Sequence, residues 1–314
     1  MKFRKLGSSD LNMSVITLGT WGMGGDFWGK VDDELSIATI QAGLDAGITS
    51  IDTAPAYGRG HSEEIIGKAI KGRKREDIIL ATKVGIDIHH NKEHICTPET
   101  IQQEIEESLT RLDTDYIDLY QVHWPDLHTP IEQTFTALNK LRETGKVRYI
   151  GVSNFSCEQM DEAAKYCPIV SAQPPYSLLK RDIEKDIMPY CIEHGMGMLT
   201  YGSIGAGALT GKFKERPVFD EDDKRGNFYA FFSEENWPKT RAMIDTLEEI
   251  AAGHGKPTVH AAINWVLKQP GITVALVGAR TPEQVIMNAQ AADWELSDEE
   301  NAKIEAAYQK IFAE

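Results

Sequence analysis

The chain has 314 residues, 41% of them hydrophobic and 26% charged, with a mean hydropathy of −0.34, which excludes disordered and fibrous classes and allows a large core. Lys and Arg number 33 against 48 Asp and Glu, a net charge of −15 that repels phosphate backbones and anionic lipid and argues against nucleic-acid and membrane-surface partners. No apolar run approaches the roughly 18 residues needed to span a bilayer, and MKFRKLGSSDLNMSVITLG lacks the apolar stretch of a secretory leader, so a cytoplasmic protein is expected.

Short β-branched runs alternate with helical patterns along the chain. The first strand, Val15 to Gly19, precedes a helical pattern from Asp33 to Ala46; the second, Ser50 to Thr53, precedes one from Ser62 to Ile70. The third, Ile78 to Lys83, leads to a helix from Pro98 to Leu112, with Thr97 placed as N-cap and Pro98 at the first helical position. The fourth strand, Tyr116 to Tyr120, is followed by a helix from Ile131 to Glu143, the fifth, Val147 to Val152, by one from Glu158 to Tyr166, and the sixth, Ile169 to Gln173, by one from Asp182 to His194. Gly197 to Tyr201 and Thr273 to Gly278 complete eight strands, and a last helix spans about Asp298 to Phe312. Near-continuously apolar strands in this rhythm predict a parallel sheet, and eight of them predict a (β/α)8 barrel in a single domain over residues 1–314. A doubly wound sheet would instead carry G-x-G-x-x-G after its first strand, a pattern that Trp21 interrupts in Gly19 to Gly25. Two connections are longer than a barrel needs, 86–97 and 212–237, and long loops at the C-terminal face carry function. Cys96, Cys157, Cys167 and Cys191 lack CxxC spacing and read as reduced thiols.

In such a barrel the active site gathers where strands end. Asp52 closes the second strand, Tyr57 lies in the turn after it, Lys83 closes the third and His123 the fourth. Singly, each has an ordinary explanation as a cap, a rim aromatic, a solvated strand end or a core histidine. Together they form a proton donor, a cation that stabilises its phenolate, a carboxylate that compensates the cation, and an imidazole able to bind a substrate oxygen. That set suits protonation of a carbonyl oxygen while hydride arrives from elsewhere; no side chain supplies hydride, so a nicotinamide is expected.

The motifs Leu18-Gly19-Thr20-Trp21, Ile51 to Gly58 (IDTAPAYG), Ala81-Thr82-Lys83, Leu119 to Asp126 (LYQVHWPD) and Ile150 to Phe155 (IGVSNF) resemble those of the aldo-keto reductase superfamily, as do Tyr201-Gly202-Ser203 through Leu209-Thr210-Gly211-Lys212 and Val277-Gly278-Ala279-Arg280. Gln173-Pro174-Pro175-Tyr176 and the DTAPAYG and QVHWPD forms are most similar to bacterial, monomeric NADPH-dependent reductases of the general-stress type. The resemblance implies a catalytic tetrad of Asp52, Tyr57, Lys83 and His123, with Tyr57 as general acid. It implies that Thr20, Trp21 and Asp52 border the cofactor, that Ser153, Asn154 and Gln173 bind the nicotinamide carboxamide, and that Tyr201 stacks on the ring. Gly202, Ser203, Ile204, Gly205, Gly207, Leu209, Gly211 and Lys212 fall on the pyrophosphate segment; Gly278, Ala279, Arg280, Gln284 and Asn288 fall on the part holding adenosine and its 2′-phosphate. Two positions depart from relatives: Met287 stands where several carry a Glu on the adenine, and Gln284 where some carry an Arg. Recognition of the 2′-phosphate is thus left to Arg280, with Lys212 or Arg225. The expected cofactor is NADPH, the expected substrate a small carbonyl compound in a pocket of Trp21, Tyr57, His123 and Trp124, and the expected state a monomer.

Other segments allow competing readings. His89 to Cys96 (HHNKEHIC) invites zinc, but no predicted helix or strand fixes those side chains, so a polar loop on the substrate side is preferred and no metal is expected. Trp21, Phe27, Trp28 and Trp124 read as aromatic walls of the pocket. The segment from Phe219 to Trp237 suits either a strap over the cofactor or a loop packing its own aromatics. No long tail follows the last helix, so broad aldehyde specificity is expected. Two other functional classes compete: a non-catalytic cofactor-binding subunit like those of potassium channels, disfavoured because His123 stands where these carry Asn, and a metal-dependent hydrolase, disfavoured by the missing paired-ligand spacing.

Overall fold

The computed structural model describes residues 1–89 and 94–312. Among the described residues there are ten strands: β1 (Phe3–Lys5), β2 (Asn12–Ser14), β3 (Ile16–Gly19), β4 (Ser50–Asp52), β5 (Ile79–Val84), β6 (Ile117–Val122), β7 (Val147–Ser153), β8 (Ile169–Gln173), β9 (Gly197–Thr200) and β10 (Ile272–Gly278). The last eight pair in parallel in the order β10-β3-β4-β5-β6-β7-β8-β9 and close a barrel, so the expected (β/α)8 architecture is present. The described helices are α1 (Asp33–Asp45), α2 (His61–Ile70), α3 (Pro98–Leu112), α4 (Ile131–Glu143), α5 (Cys157–Ala164), α6 (Ile187–Glu193), α7 (Arg225–Phe228), α8 (Trp237–Gly253), α9 (Thr258–Lys268), α10 (Pro282–Ala289) and α11 (Asp298–Phe312).

Local chemistry sets these ends. Thr97 accepts from the Thr100 N–H at the start of α3, Asp32 from Leu35 at α1, and Ser156 with Gln159 forms a reciprocal cap on α5, each satisfying N–H groups that a helix start leaves open. The helix expected over Asp182 to His194 is split: Asp182–Glu184 makes a 3-10 turn, and Asp186 then caps α6.

β1 and β2, absent from the sequence reading, form an antiparallel hairpin below the barrel. Leu6, Leu11 and Met13 from it pack with Ala81, Leu119, Val170, Leu199, Val274 and Leu276 in an inner core. The hairpin meets the strands so closely that a Cβ on Gly7, whose φ is +51°, would lie 2.3 Å from the Val170 carbonyl oxygen, a position only glycine occupies without strain. The N-terminal mouth is thereby plugged, and the opposite mouth is the one where chemistry gathers. No described helix is long and apolar enough to cross a membrane.

Candidate active site

Asp52 ends β4, Lys83 is the penultimate residue of β5 and His123 directly follows β6, so the parallel register delivers three of the four expected residues to one rim. Lys83 Nζ lies 2.6 Å from Asp52 Oδ1, 2.8 Å from the Thr53 carbonyl and 3.1 Å from Tyr57 Oη. Its side chain is 1% exposed and that of Asp52 3%, a charge pair that survives burial because every partner is in place. Burial by itself strips the Lys83 proton, but Asp52 and Tyr57 beside it prevail and hold its pKa above the ordinary lysine range. Burial also pushes the Tyr57 phenol upward, while Lys83 pulls it back down. Desolvation outweighs the cation, so the Tyr57 pKa lies above the ordinary phenol value and the hydroxyl is protonated at neutral pH. The His123 ring meets Tyr57 edge-on with centroids 5.9 Å apart. Burial, then the Lys83 charge, depress its pKa well below the usual imidazole range, so it is a neutral hydrogen-bonding group.

A fifth residue completes this group and was missed by the sequence reading. Gln121, fully buried on β6, donates from Nε2 to Asp52 Oδ2 at 3.2 Å, and Gln173 Nε2 donates to the same oxygen at 2.8 Å and to Gln121 Oε1 at 3.1 Å. Each Asp52 oxygen is therefore engaged. Gln121 sits two residues before His123, on the same lumen-facing side of β6, so strand alternation is the signal that finds it. Gln173 commits its Nε2 hydrogens to Asp52 and Gln121, leaving its side-chain oxygen Oε1 as the group it can present.

Next to Gln173, Ser153 Oγ donates to the Gln173 carbonyl at 2.8 Å, and Asn154 Nδ2 donates to the His123 carbonyl at 3.0 Å. Asn154 Oδ1 accepts from Tyr201 Oη at 3.0 Å, so the resemblance-derived nicotinamide residues form one connected patch beside the tetrad. Trp21 stacks near Tyr57 (6.1 Å), lies tilted against Phe27 and meets Trp28 edge-on. Trp124 stands apart from these aromatics, 39% exposed and stacked on His94 at 5.8 Å; the aromatic wall is two groups and not one cluster. Thr20 is fully buried, its hydroxyl donating to the Asp52 carbonyl and accepting from Ser62, which makes it a support for β4.

The other half of the rim is cationic. After β9, a turn over Gly202 to Gly211 carries positive φ at Gly202, Gly205, Ala206, Gly207 and Gly211. Ser203 and Leu209 turn their side chains inward there, so this segment presents backbone, and Ile204 packs its side chain against the core. Lys212 Nζ and an Arg225 guanidinium nitrogen each lie 3.6 Å from where a Gly207 Cβ would stand. Burial, followed by Arg225, lowers the Lys212 pKa, a shift that a nearby anion reverses. Arg225 is bonded to Asp223 and to the Ala206 carbonyl, and its guanidinium lies over Trp28 at 5.1 Å. Arg280, just past β10, donates to the carbonyls of Trp28 and Lys30, and its N–H to Gln284 Oε1. Asn288 is buried and donates to the Gly278 carbonyl. Gln284 and Asn288 thus support the segment Gly278-Ala279-Arg280.

The segment from Phe219 to Trp237 packs its own aromatics and also reaches the loop after β3. Phe213, Phe219, Phe231 and Phe232 pack together, while Lys224 N–H bonds the Phe27 carbonyl and Phe228 meets Phe27 edge-on. It thereby joins the loop after β3, where Trp28 also forms a β-bridge with Asp223. In the loop after β5, His89 bonds Glu107, His94 stacks on Trp124 and Cys96 is buried; His90, Asn91, Lys92 and Glu93 lie outside the described residues. Among the described residues, no group of three or more His, Cys, Asp or Glu side chains is arranged to hold a metal.

The chain is 44% identical over 308 residues to aldo-keto reductase YhdN of Bacillus subtilis (97% of this chain, 92% of that protein). It is 35% identical to an NADH-specific methylglyoxal reductase of Escherichia coli (95% of each). Among solved structures, the glycerol dehydrogenase AKR11B4 from Gluconobacter oxydans superposes with a TM-score of 0.91 at 40% identity, covering 100% of this chain and 97% of that one. The holo form of AKR11C1 from Bacillus halodurans gives 0.82 at 31% identity, covering 98% and 96%. The family model described as aldo/keto reductase family matches residues 15–309, and with the fold and rim described above this chain belongs to the aldo/keto reductase family.

Proposed function

We propose that this protein is an NADPH-dependent reductase of aldehydes and some ketones, acting in the cytoplasm with Tyr57 as general acid. Membership of the family brings carbonyl substrates and a nicotinamide cofactor; the residue roles, the choice of NADPH and the location are the proposal. The observation that carries it is the bonded set of Asp52, Lys83 and Tyr57, with the neutral His123 beside Tyr57.

The residues present fit a dinucleotide phosphate. Lys212, Arg225 and Arg280 gather around a glycine-rich turn where Asp223 is the adjoining carboxylate, and Trp28 Nε1 is buried beside them with no hydrogen-bond partner among the described residues. Arg is suited to bidentate phosphate contacts. Lys212, Arg225 and Arg280 would hold the phosphates, and Ser153, Asn154, Gln173 and Tyr201 the nicotinamide. When bound, the nicotinamide supplies hydride to the carbonyl carbon.

This chain's residues manage the oxygen. Tyr57 Oη donates its proton to the carbonyl oxygen as charge develops there, and Lys83, 3.1 Å from Oη, stabilises the phenolate that results. Asp52 keeps Lys83 charged and fixed, held in turn by Gln121 and Gln173. His123, neutral, donates a hydrogen bond to the same oxygen and orients it. The buried free thiols of Cys96, Cys167 and Cys191 suit a reducing compartment. A relative named NADH-specific shows that the family alone does not fix the cofactor; the three cations support NADPH.

The test is incubation of the purified protein with NADPH and a simple aromatic aldehyde. Loss of the reduced-nicotinamide absorbance is expected; cofactor binding with no loss would make the protein a regulatory subunit, and neither would contradict both readings.

A further inference from the structure

β5 ends on Val84, and the peptide unit joining Val84 to Gly85 is held from both sides. Its carbonyl accepts the His123 N–H at 2.9 Å, and its N–H donates to Glu104 Oε2 on α3 at 3.0 Å. Gly85 has a φ of +93°, and a Cβ there would lie 2.3 Å from Cys96 Sγ, so only glycine takes this conformation without strain. The loop after β5 also closes here: the Ile95 N–H donates to the Gly85 carbonyl at 3.1 Å, and the Cys96 N–H to Asp126 Oδ2 at 2.8 Å. Glu104 thus reaches from outside the barrel to a joint whose other side is the backbone of His123.

His123 depends on this joint. Asn154 holds its carbonyl, and among the described residues no hydrogen bond fixes its ring, which meets Tyr57 edge-on, so the backbone sets where the imidazole stands. A misplacement of about 1 Å at a reacting group costs roughly 10²-fold in rate. Glu104 shares the buried face of α3 with Ile101, Ile105 and Leu109, where a carboxyl is costly to bury, and its Oε1 has no partner among the described residues. Glu63 on α2, Glu107 on α3, Asp87 in the loop after β5 and Tyr120 on β6 surround it, with Cys96 and Asp126 beyond. Arg111 is bonded to Glu63 and Glu107, and His89 to Glu107. Burial, then the charges of Asp87, Glu107 and Glu63, raise the Glu104 pKa to about 8.

We propose that Glu104 is a positioning residue for carbonyl reduction: its carboxyl holds the Val84–Gly85 peptide, and through that peptide His123, in the reactive arrangement. This rests on the reductase reading, with His123 on the carbonyl oxygen. The protonated carboxyl does the task, accepting the Gly85 N–H without placing a charge in the core. Loss of the proton sets a charge among Asp87, Glu107 and Glu63, and the repulsion draws the carboxylate, with Gly85 and the peptide that His123 holds, out of place. Activity is thereby linked to a proton on α3, outside the barrel.

The experiment compares Glu104→Gln and Glu104→Leu with the wild type, using NADPH and a simple aromatic aldehyde between pH 6 and 9. Glutamine keeps an acceptor for the Gly85 N–H and does not ionise, so its kcat at pH 6 is expected within about threefold of the wild type. Leucine removes the acceptor and is expected to lower kcat about tenfold, the value of one hydrogen bond, with the NADPH dissociation constant within about threefold. One unit above a pKa about a tenth of a group keeps its proton, so the wild-type kcat relative to Glu104→Gln is expected to fall by about three- to tenfold between pH 6 and 9. A folded Glu104→Leu with wild-type kcat, or superposable wild-type and Glu104→Gln profiles, overturns the proposal; where Glu104→Leu does not fold, the profiles decide. The NMR resonance of the His123 amide reads the linkage without turnover. A midpoint of about 8 in the wild type, absent in Glu104→Gln, supports the positioning role even if no aldehyde is reduced, in which case the reductase reading alone has failed; a His123 resonance that titrates alike in both proteins overturns it.

Discussion

The two halves of the rim are built on opposite principles. Around Asp52 every charge has its partner inside the protein: Lys83 on one carboxylate oxygen, Gln121 and Gln173 on the other, Tyr57 on the lysine. Across the mouth, Lys212, Arg225 and Arg280 crowd together beside one carboxylate, Asp223, and the Lys212 pKa is depressed by burial and by Arg225. The first half is complete before any ligand arrives and holds its geometry as a preorganised site should. The second half carries an excess of cations that suits an anion. Catalysis and cofactor affinity are therefore expected to be separable by mutation, one half at a time.

The largest effect should come from Lys83→Met. It removes the cation beside Tyr57 and leaves Asp52 buried without its counter-ion, so kcat should drop by about 10²–10⁴-fold and stability by roughly 3–5 kcal/mol. Steady-state kinetics with thermal melts would check both; a variant that melts like the wild type would show the pair to be less tightly balanced than its distances imply. On the other half, Arg280→Ala should raise the KM for NADPH about 10–100-fold, the value of a charge-assisted hydrogen bond, while changing the KM for NADH little. Unchanged discrimination between the cofactors would remove Arg280 from phosphate recognition.

A subtler probe is Gln121→Leu, which leaves Asp52 Oδ2 with one donor. A loss of kcat of about tenfold is expected with cofactor KM within about threefold; a change confined to cofactor KM would move Gln121 to the other half.

The smallest effect concerns pH. Glu104, 4% exposed on α3, accepts from the Gly85 N–H through one oxygen, while its other has no partner among the described residues. Burial raises its pKa to about 8. Because the folded value lies above the unfolded one, the stability it allows is full below pH about 4.5 and is lost as pH rises toward 8. The wild type should lose several degrees of melting temperature between pH 5 and 8 relative to Glu104→Gln; parallel profiles would show that Glu104 ionises in the folded protein as it does in the unfolded one.

The same division explains what the sequence disclosed. Strand ends are fixed by hydrophobic runs, and Asp52, Lys83 and His123 each stand at such an end, so their convergence follows from a barrel register alone. The start of the helix Pro98–Leu112 was readable because Thr97 and Pro98 mark it, and in the structure Asp113 ends it in the left-handed region. The hairpin of β1 and β2 was not, because three-residue strands carry too little periodicity and their reason for existing, a plug for the barrel, is tertiary. Gln121 was hidden by its chemistry: a neutral amide in an apolar strand shows its purpose only once Asp52 and Gln173 face it. The path of residues 212–237 was illegible for a similar reason, since its aromatics satisfy one another and the loop after β3 at once.

Binding and turnover measured together in Tyr57→Phe test the central claim most directly. The account predicts that NADPH binds this variant with a dissociation constant within about threefold of the wild type while carbonyl reduction falls by at least about 10²-fold. Reduction that survives within a few-fold would show that Tyr57 is not the acid, and loss of NADPH binding together with turnover would show that the two halves of the rim are not separate.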